Sequence, residues 1–224
     1  MAELMMLRLE GALQSWGEAS AWDNRGTENF PAKSAIAGLI ACAMGLERGD
    51  PEILQLQQSI TMGIRADRPG QAVCDFHTVQ GMPNILNAAG KGRGKNGNTI
   101  VSHRWYLQDA SFLVVIETTD IWRQRIVTAL QDPRWPVYLG RKNCVPSRPV
   151  LEGISGDYET ILQALRRYPA ETRAADLLPY EIETEQMDGT SLSRTDLSEG
   201  NRKFMRRKVW RGTVRREELC TLQN

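Results

Sequence analysis

The order of strand-like and helix-like patterns in residues 1–132 is the feature that most restricts how this chain can fold. One strand pattern is followed by two helix patterns, two pairs of strand patterns and a third helix pattern. The strand patterns lie at 4–9, 60–66, 73–79, 104–108 and 111–118, and the helix patterns at 31–44, 50–59 and 121–130. This order predicts an α+β fold with a ferredoxin-like split βαβ core that carries insertions.

The ends of the first two helices are marked by residues with known positional preferences. Pro31, Lys33 and Ser34 open the first helix, and Gly45 ends it, because glycine readily adopts a left-handed conformation. The second helix begins at Asp50-Pro51-Glu52, which combines an N-cap, a proline in the first turn and an acidic residue near the positive end of the helix dipole.

Residues 81–102 show no periodicity, and the glycine-rich stretch within them predicts the mobile tip of a protruding β-hairpin. After Pro133 the pattern predicts a strand over 136–140, a helix over 157–167, a surface excursion over 172–200 and a closing β-hairpin over 203–214. We therefore expect a core at 1–132, with the insertion at 81–102, and a small C-terminal β-rich extension at 133–224. The extension is expected to pack on the core as one unit.

Acidic residues are missing from three basic stretches, although the formal net charge of the chain is only +1. Asp and Glu are absent from 76–108, 133–151 and 200–216, and each stretch also contains an aromatic or glycine-rich element. Local positive charge beside flat side chains and exposed backbone is typical of proteins that bind single-stranded nucleic acid. The charge pattern therefore favours an RNA-facing surface.

Several other classes of protein fit this sequence poorly. The longest apolar run, 34–44, is too short to span a membrane, and the N-terminus has no export-signal pattern, so we expect a cytoplasmic protein without membrane contact. The chain has four scattered cysteines without a CxxC pair and two histidines, which argues against a metal site. The GxGxxG match at 92–97 lacks a preceding strand and a following helix, so no nucleotide cofactor is expected.

Five segments resemble, in order and spacing, the CasD subunits of type I-E Cascade, a CRISPR surveillance complex. They are LRLEGALQSWG at 7–17, FPAKSAIAGL at 30–39, DFHTVQG at 75–81, WYLQDASF at 105–112 and YLGRKNC at 138–144. The resemblance implies a RAMP-type, RRM-like fold that grips the 5′ handle of the CRISPR RNA and caps the backbone filament. It also implies contact with the neighbouring backbone and large subunits, with target DNA met only inside the complex.

The resemblance and the local chemistry together nominate a set of RNA contacts. We expect phosphate contacts from Lys33, Arg104, Arg141 and Lys142, base contacts from Tyr138, His77 and His103, and a thumb formed by Lys91–Lys95. Gly140 would let the backbone approach a phosphate, with Tyr138 on the same strand face, and Ser34 would act as a helix cap first. The full predicted set is Gln14, Lys33, Ser34, His77, Lys91, Arg93, Lys95, His103, Arg104, Tyr138, Gly140, Arg141 and Lys142.

Two alternatives remain open at this stage. Relatives in type I-C systems cleave the precursor RNA, and metal-independent cleavage needs a base, an acid and a cation, for which His103, Tyr106 and Lys95 are the candidates. The second alternative is an interaction subunit whose basic faces, including the run 202–216, contact protein instead of RNA. In the interpretation that the resemblance favours, the chain binds RNA and is not an enzyme.

Overall fold

The computed structural model describes residues 3–17, 21, 23–79, 99–171, 173–183, 190–200 and 203–219. Its strands and helices have the following bounds in chain order: β1 (Leu4–Glu10), β2 (Leu13–Gln14), β3 (Asn24–Arg25), α1 (Lys33–Met44), α2 (Pro51–Ser59), β4 (Thr61–Arg68), β5 (Gln71–Val79), β6 (Ile100–Gln108), β7 (Ser111–Glu117), α3 (Asp120–Gln131), β8 (Leu151–Ser155), α4 (Ile161–Arg167), β9 (Leu177–Ile182), β10 (Thr190–Gly200) and β11 (Lys203–Arg215). The elements predicted within residues 1–132 are confirmed, although β6 begins four residues earlier than its apolar pattern.

Within the described part of the chain, seven strands form one antiparallel sheet in the order β10-β11-β9-β4-β7-β1-β8. The central strands β1 and β7 are nearly continuous apolar runs because both faces of the sheet are covered there. On one face, here called the α1 face, Leu7 and Val114 pack with Ile36 of α1 and Ile126 of α3 in the main core. The other face, the α4 face, packs Met6 and Val115 with α4.

The ends of α1 and α2 follow the sequence signals, with one exception. Gly45 ends α1 at φ 73°, and the Asp50 carboxylate accepts a hydrogen bond from the Glu52 N–H at 2.8 Å. The sequence predicted that Ser34 caps α1, but the N-cap position is Ala32. The Lys33 N–H instead donates to Asp196 at 2.9 Å, so a residue of a distant strand satisfies the helix end.

The C-terminal third differs most from expectation. Residues 136–150 contain no strand, and α4 begins at Ile161, with Thr160 accepting from the Gln163 N–H at 3.1 Å, instead of at 157. Residues 203–214 belong to the single long strand β11 and are not a hairpin by themselves, because β11 pairs with β10 on one side and β9 on the other. Residues 172–200, which were expected to form a surface excursion, contain both partner strands. These strands and β11 belong to the same sheet as β4.

A buried ion network holds the α4 face together. Asp67 lies between two guanidinium groups, 2.6 Å from Arg8 Nη1 and 2.6 Å from Arg65 Nε, and all three residues are almost completely buried. Arg65 also donates to the carbonyl oxygens of Leu165 and Tyr168, at 2.7 and 2.8 Å. The network therefore connects β1 and β4 with α4 and the segment that follows it.

Burial by itself raises the pKa of the Asp67 carboxyl, but the hydrogen bonds and positive charges of Arg65 and Arg8 outweigh it. The pKa of Asp67 consequently lies below its ordinary value.

In the described part of the chain, no helix is both long enough and apolar enough to cross a membrane.

Replacing Asp67 with Asn is expected to lower the free energy of unfolding at pH 7 by about 3–5 kcal/mol, because two buried guanidinium groups lose their shared counter-charge. A carboxyl whose folded pKa lies below its unfolded value, ~3.9 for Asp, contributes full stability above that pH and loses it as the pH falls through the folded pKa. Urea unfolding should therefore show the difference between wild type and Asp67→Asn shrinking below about pH 4.

The matched control is Asp120→Asn, whose carboxylate pairs with Arg123 at 2.8 Å but is 80% exposed. An exposed pair contributes about 0–1 kcal/mol, so this variant should unfold almost like wild type. Equal stability of Asp67→Asn and wild type at pH 7 would show that the buried network does not support the fold.

Candidate nucleic-acid interface

Strands β5 and β6 form a two-stranded arm, paired from Gln71↔Gln108 to Val79↔Ile100 without a register shift. Side chains alternate between the two faces of such a ribbon. The inner face carries Asp75, His77, Ser102, Arg104 and Tyr106, and the outer face carries Cys74, Phe76, His103, Val101 and Trp105. Tyr106 and Ser102 are buried, whereas Phe76 is 61% exposed, so the protein body covers the inner face near the base of the arm.

The turn formed by residues 138–144 packs against the inner face. The Arg141 guanidinium lies over the Tyr106 ring, 4.6 Å from its centroid, and donates to the Arg25 carbonyl oxygen at 2.9 Å. Asn143 Nδ2 donates to the Tyr106 hydroxyl at 3.1 Å. Arg141 Nη1 is buried and has no hydrogen-bond partner among the described residues. The arrangement holds a cation flat on an aromatic ring and leaves one donor nitrogen unused.

Gly140 is required for protein packing, which differs from the role that its sequence suggested. It has φ 88°, and a Cβ there would overlap the Ser15 carbonyl oxygen, so the backbone of the turn lies directly on the segment after β2. Its N–H donates to the Tyr138 carbonyl oxygen at 3.1 Å and is therefore already used. The predicted strand through Tyr138 and Gly140 is wrong. The Leu139 N–H donates to the Cys144 carbonyl oxygen at 2.7 Å, and the segment therefore forms a turn.

Arginines from three segments lie around the inner face of the arm, and a lysine follows on the turn. Arg104 lies on β6 next to Arg25 of β3, which pairs with it in parallel, and the half-buried Arg141 and exposed Lys142 lie on the turn. Arg25 had no signal in the sequence, because a short parallel pairing between distant segments leaves no periodic pattern. Asn143 was within the recognised turn but was not singled out.

One carboxylate lies within this cationic surface. Asp75 is opposite Arg104 in the arm, and its Oδ2 lies 2.7 Å from His77 Nε2. Asp75 is the residue immediately before the acid-free stretch noted in the sequence. Its negative charge would oppose the binding of a phosphate at Arg104.

The two histidines do not face the same ligand. His77 is on the inner face, whereas His103 is on the outer face, where its ring lies 5.5 Å from that of Phe76 at 68°. Strand alternation also separates His103 from Tyr106, because the two residues are three positions apart. The predicted catalytic set of His103, Tyr106 and Lys95 is therefore not brought together by the described residues, and Lys95 lies outside them.

The structure gives buried internal partners to two residues of the predicted RNA-binding set, Gln14 and Lys33. Gln14 is fully buried, and its amide donates to Leu9 and Ala110 carbonyl oxygens at 3.0 and 2.8 Å. Lys33 is buried with its Nζ 2.8 Å from a Glu183 oxygen, and Ser34 is half-buried in the first turn of α1. Lys91, Arg93 and Lys95 lie outside the described residues. The described members at the arm are His77, His103, Arg104, Tyr138, Gly140, Arg141 and Lys142.

Comparison with known proteins identifies the family. A profile for the family described as CRISPR-associated protein (Cas_Cas5) matches residues 4–217. The chain belongs to this family. The match extends well beyond residue 144, where the last segment that resembles CasD subunits ends, and that resemblance is confirmed.

Individual relatives agree with the family assignment. The chain is 32% identical over 166 residues, 68% of its length and 71% of the relative's, to the CRISPR system Cascade subunit CasD of Escherichia coli strain K12. A chain of a solved CRISPR RNA-guided surveillance complex superposes with a TM-score of 0.75 at 31% identity, covering 97% of this chain and 93% of that one. A crystal structure described as a Cas protein superposes with a TM-score of 0.70 at 29% identity, covering 97% of each chain.

No cluster of His, Cys, Asp and Glu suited to a metal ion occurs among the residues described. The arm and the turn offer guanidinium and ammonium groups that can bind phosphate oxygens, and ring faces on which bases can stack.

Gly140→Ala is expected to lower the free energy of unfolding by at least about 2 kcal/mol, because the new Cβ meets the Ser15 backbone at a positive φ. Gly38→Ala is the control, since a Cβ at Gly38 in α1 has no neighbour within 4 Å. Replacing a helical glycine with alanine in open space should raise stability by about 0.5–1 kcal/mol. Chemical denaturation of both variants measures the difference, and a neutral Gly140→Ala would contradict the packing role.

Proposed function

We propose that this chain is an RNA-binding subunit of a CRISPR surveillance complex, and that the inner face of its arm grips the 5′ handle of the CRISPR RNA. The observation that carries the proposal is the Arg141 guanidinium, held on the Tyr106 ring with its Nη1 unpartnered in the described structure. Membership of the Cas5 family and the similarity to a surveillance-complex chain support the same assignment.

Arg25, Arg104, Arg141 and Lys142 are proposed as the phosphate contacts, with Tyr138 and His77 beside them as base contacts. Arg141 is already ordered by its contacts with Tyr106 and Arg25, so little side-chain entropy is lost when it binds. Each neutralised phosphate of a single strand contributes about −0.7 to the slope of log affinity against log salt. His103 and Phe76 face the other side of the arm and are not assigned to this site.

The proposal extends to the architecture. The order β4-β7-β1-β8, with α1 and α3 on one face, supports a ferredoxin-like RAMP core, with the arm proposed as the base of its thumb. Strand β8, which follows residue 132, supplies the last strand of this order, and β9 to β11 continue the sheet beyond β4, which supports an extension packed on the core as one unit. Partners would be the neighbouring backbone and large subunits, with target DNA reached through the assembled complex in the cytoplasm.

We propose a binding subunit and not a nuclease. The separation of His103 and Tyr106 onto opposite faces of the arm supports this choice, because a general acid and a general base must reach the same phosphate. The Tyr106 hydroxyl, moreover, is buried and accepts the Asn143 hydrogen bond.

The test is to titrate the full chain with end-labelled repeat RNA at several salt concentrations without metal, and to resolve the RNA afterwards on a denaturing gel. Arg104→Ala with Lys142→Ala should weaken binding and reduce the magnitude of the salt slope by about 1.4, which is two contacts at 0.7 each. Wild type should bind intact RNA and lose affinity when the handle sequence is scrambled.

Arg48→Glu is the matched control, because it also lowers the net charge by two and lies in the exposed turn between α1 and α2. It should retain the wild-type slope. An unchanged slope in the double variant would remove these residues from the site, and discrete cutting at one repeat position would replace the binding function with nuclease activity.

Asp75→Asn provides a test with the opposite sign. Removing the carboxylate beside Arg104 and His77 should tighten repeat-RNA binding about twofold to tenfold at low salt, because a local repulsion of phosphate is removed. Asp157→Asn, an exposed carboxylate before α4, changes the net charge equally and should leave the dissociation constant unchanged. Weaker binding by Asp75→Asn would mean that no phosphate lies next to this carboxylate.

A further inference from the structure

The C-terminal basic run divides its charges between the two faces of the main sheet. Strand alternation places Arg207 and Arg211 of β11 on the α1 face, whereas Arg206 and Lys208 lie on the α4 face. This separation follows from the pairing of Trp210 with Ile182, which is buried on the α4 face. The two sets of cations have different surroundings.

On the α1 face the cations are paired with buried carboxylates. Arg207 donates to both oxygens of Asp196 at 2.7 Å, and Arg194 of β10 donates to Glu181 at 2.7 Å. Arg211 also pairs with Glu181. Burial raises the pKa of Asp196, but Arg207, the Lys33 N–H and Arg194 outweigh it and hold the pKa below its ordinary value. Arg194 and Arg207 are buried and serve the fold, whereas Arg211 has a 49% exposed side chain that is held by Glu181.

On the α4 face the neighbouring strands provide hydroxyls and rings instead of acids. Ser193 is opposite Lys208, Ser191 is opposite Trp210, and both serines are exposed. At positions 178–182, 191–195 and 206–214, the described side chains on this face include no Asp or Glu. We call Arg206, Lys208, Trp210, Ser191 and Ser193 the basic strip.

We propose that the basic strip is a second nucleic-acid-binding surface that contacts a phosphate backbone without reading its sequence. Arg206 and Lys208 are exposed, and successive residues on one face of a strand are about 6.7 Å apart, which suits adjacent phosphates of an extended strand. The serine hydroxyls can donate to phosphate oxygens beside each cation.

The surrounding surface extends the strip. Arg166, exposed in the last turn of α4, donates to the Tyr180 hydroxyl at 3.2 Å, and that ring lies against Gly212 further along β11. Cations therefore flank the α4 face along β11. The strip combines cations and hydroxyls around a half-buried ring, which suits a polyanion better than the apolar centre of a protein interface.

The experiment uses the full chain and two probes without the handle sequence, a labelled 20-nucleotide oligouridylate and a 20-base-pair DNA duplex. Arg206→Ala with Lys208→Ala should raise the dissociation constant about fivefold or more for at least one probe, and reduce the magnitude of the salt slope by about 1.4 for the single strand or about 1.8 for the duplex. The probe that responds identifies which nucleic acid the strip binds.

Arg48→Glu, with the same change in net charge, should bind both probes like wild type. Ser193→Arg adds a cation opposite Lys208 and should tighten binding several-fold, which gives a readout that loss of folding cannot imitate. Unchanged affinity of the Arg206 and Lys208 double variant for both probes would overturn the proposal, as would equal competition by polyglutamate, which would indicate an acidic protein partner.

This result is separable from the handle assay. The probes lack the handle, and the strip variant should keep the wild-type ratio of affinities for intact and scrambled handle RNA. If handle specificity is absent from the wild type while the strip variant still loses affinity for the probes, the proposed function fails and the basic strip stands.

Discussion

The Asp67 carboxylate between Arg8 and Arg65 is the interaction on which the arrangement of the sheet and its second layer depends. It lies at the end of β4 and joins this strand to β1, two positions away across the sheet. Arg65 then reaches the carbonyl oxygens at the end of α4. A buried carboxylate is tolerated only when such partners compensate its lost hydration, so the three elements must assemble together.

The same principle explains the C-terminal strands. Asp196 accepts from Arg207 and from the N–H at the start of α1, so the helix end and the strand hairpin satisfy each other. Arg207 of the basic run is thereby used by the fold. The charge that we assign to ligands lies at the exposed Arg206 and Lys208 on the other face of the sheet, and at the arm around Arg104 and Arg141.

The candidate site shows why residue type alone was an incomplete guide. Gly140 and Arg141 were found from their sequence, yet Gly140 serves a contact with Ser15, and Arg141 owes its orientation to Tyr106 and the Arg25 carbonyl. Gln14 and Lys33 carry groups suited to RNA, but the Gln14 amide binds the Ala110 carbonyl oxygen and the Lys33 ammonium pairs with Glu183. Which polar groups remain available depends on contacts between segments that are distant in the sequence, and such contacts leave no local pattern.

The sequence by itself determined the elements of the first 132 residues, because apolar periodicity, Gly45 and the Asp50-Pro51-Glu52 cap act within a few residues of where they stand. It also determined the family and the general location of positive charge. The tertiary structure alone decided that residues 203–215 are one strand between β9 and β10, and that His77 and His103 face opposite sides of the arm. Strand pairing and register are set by which distant partner buries each face, and a one-residue shift would reverse every such assignment.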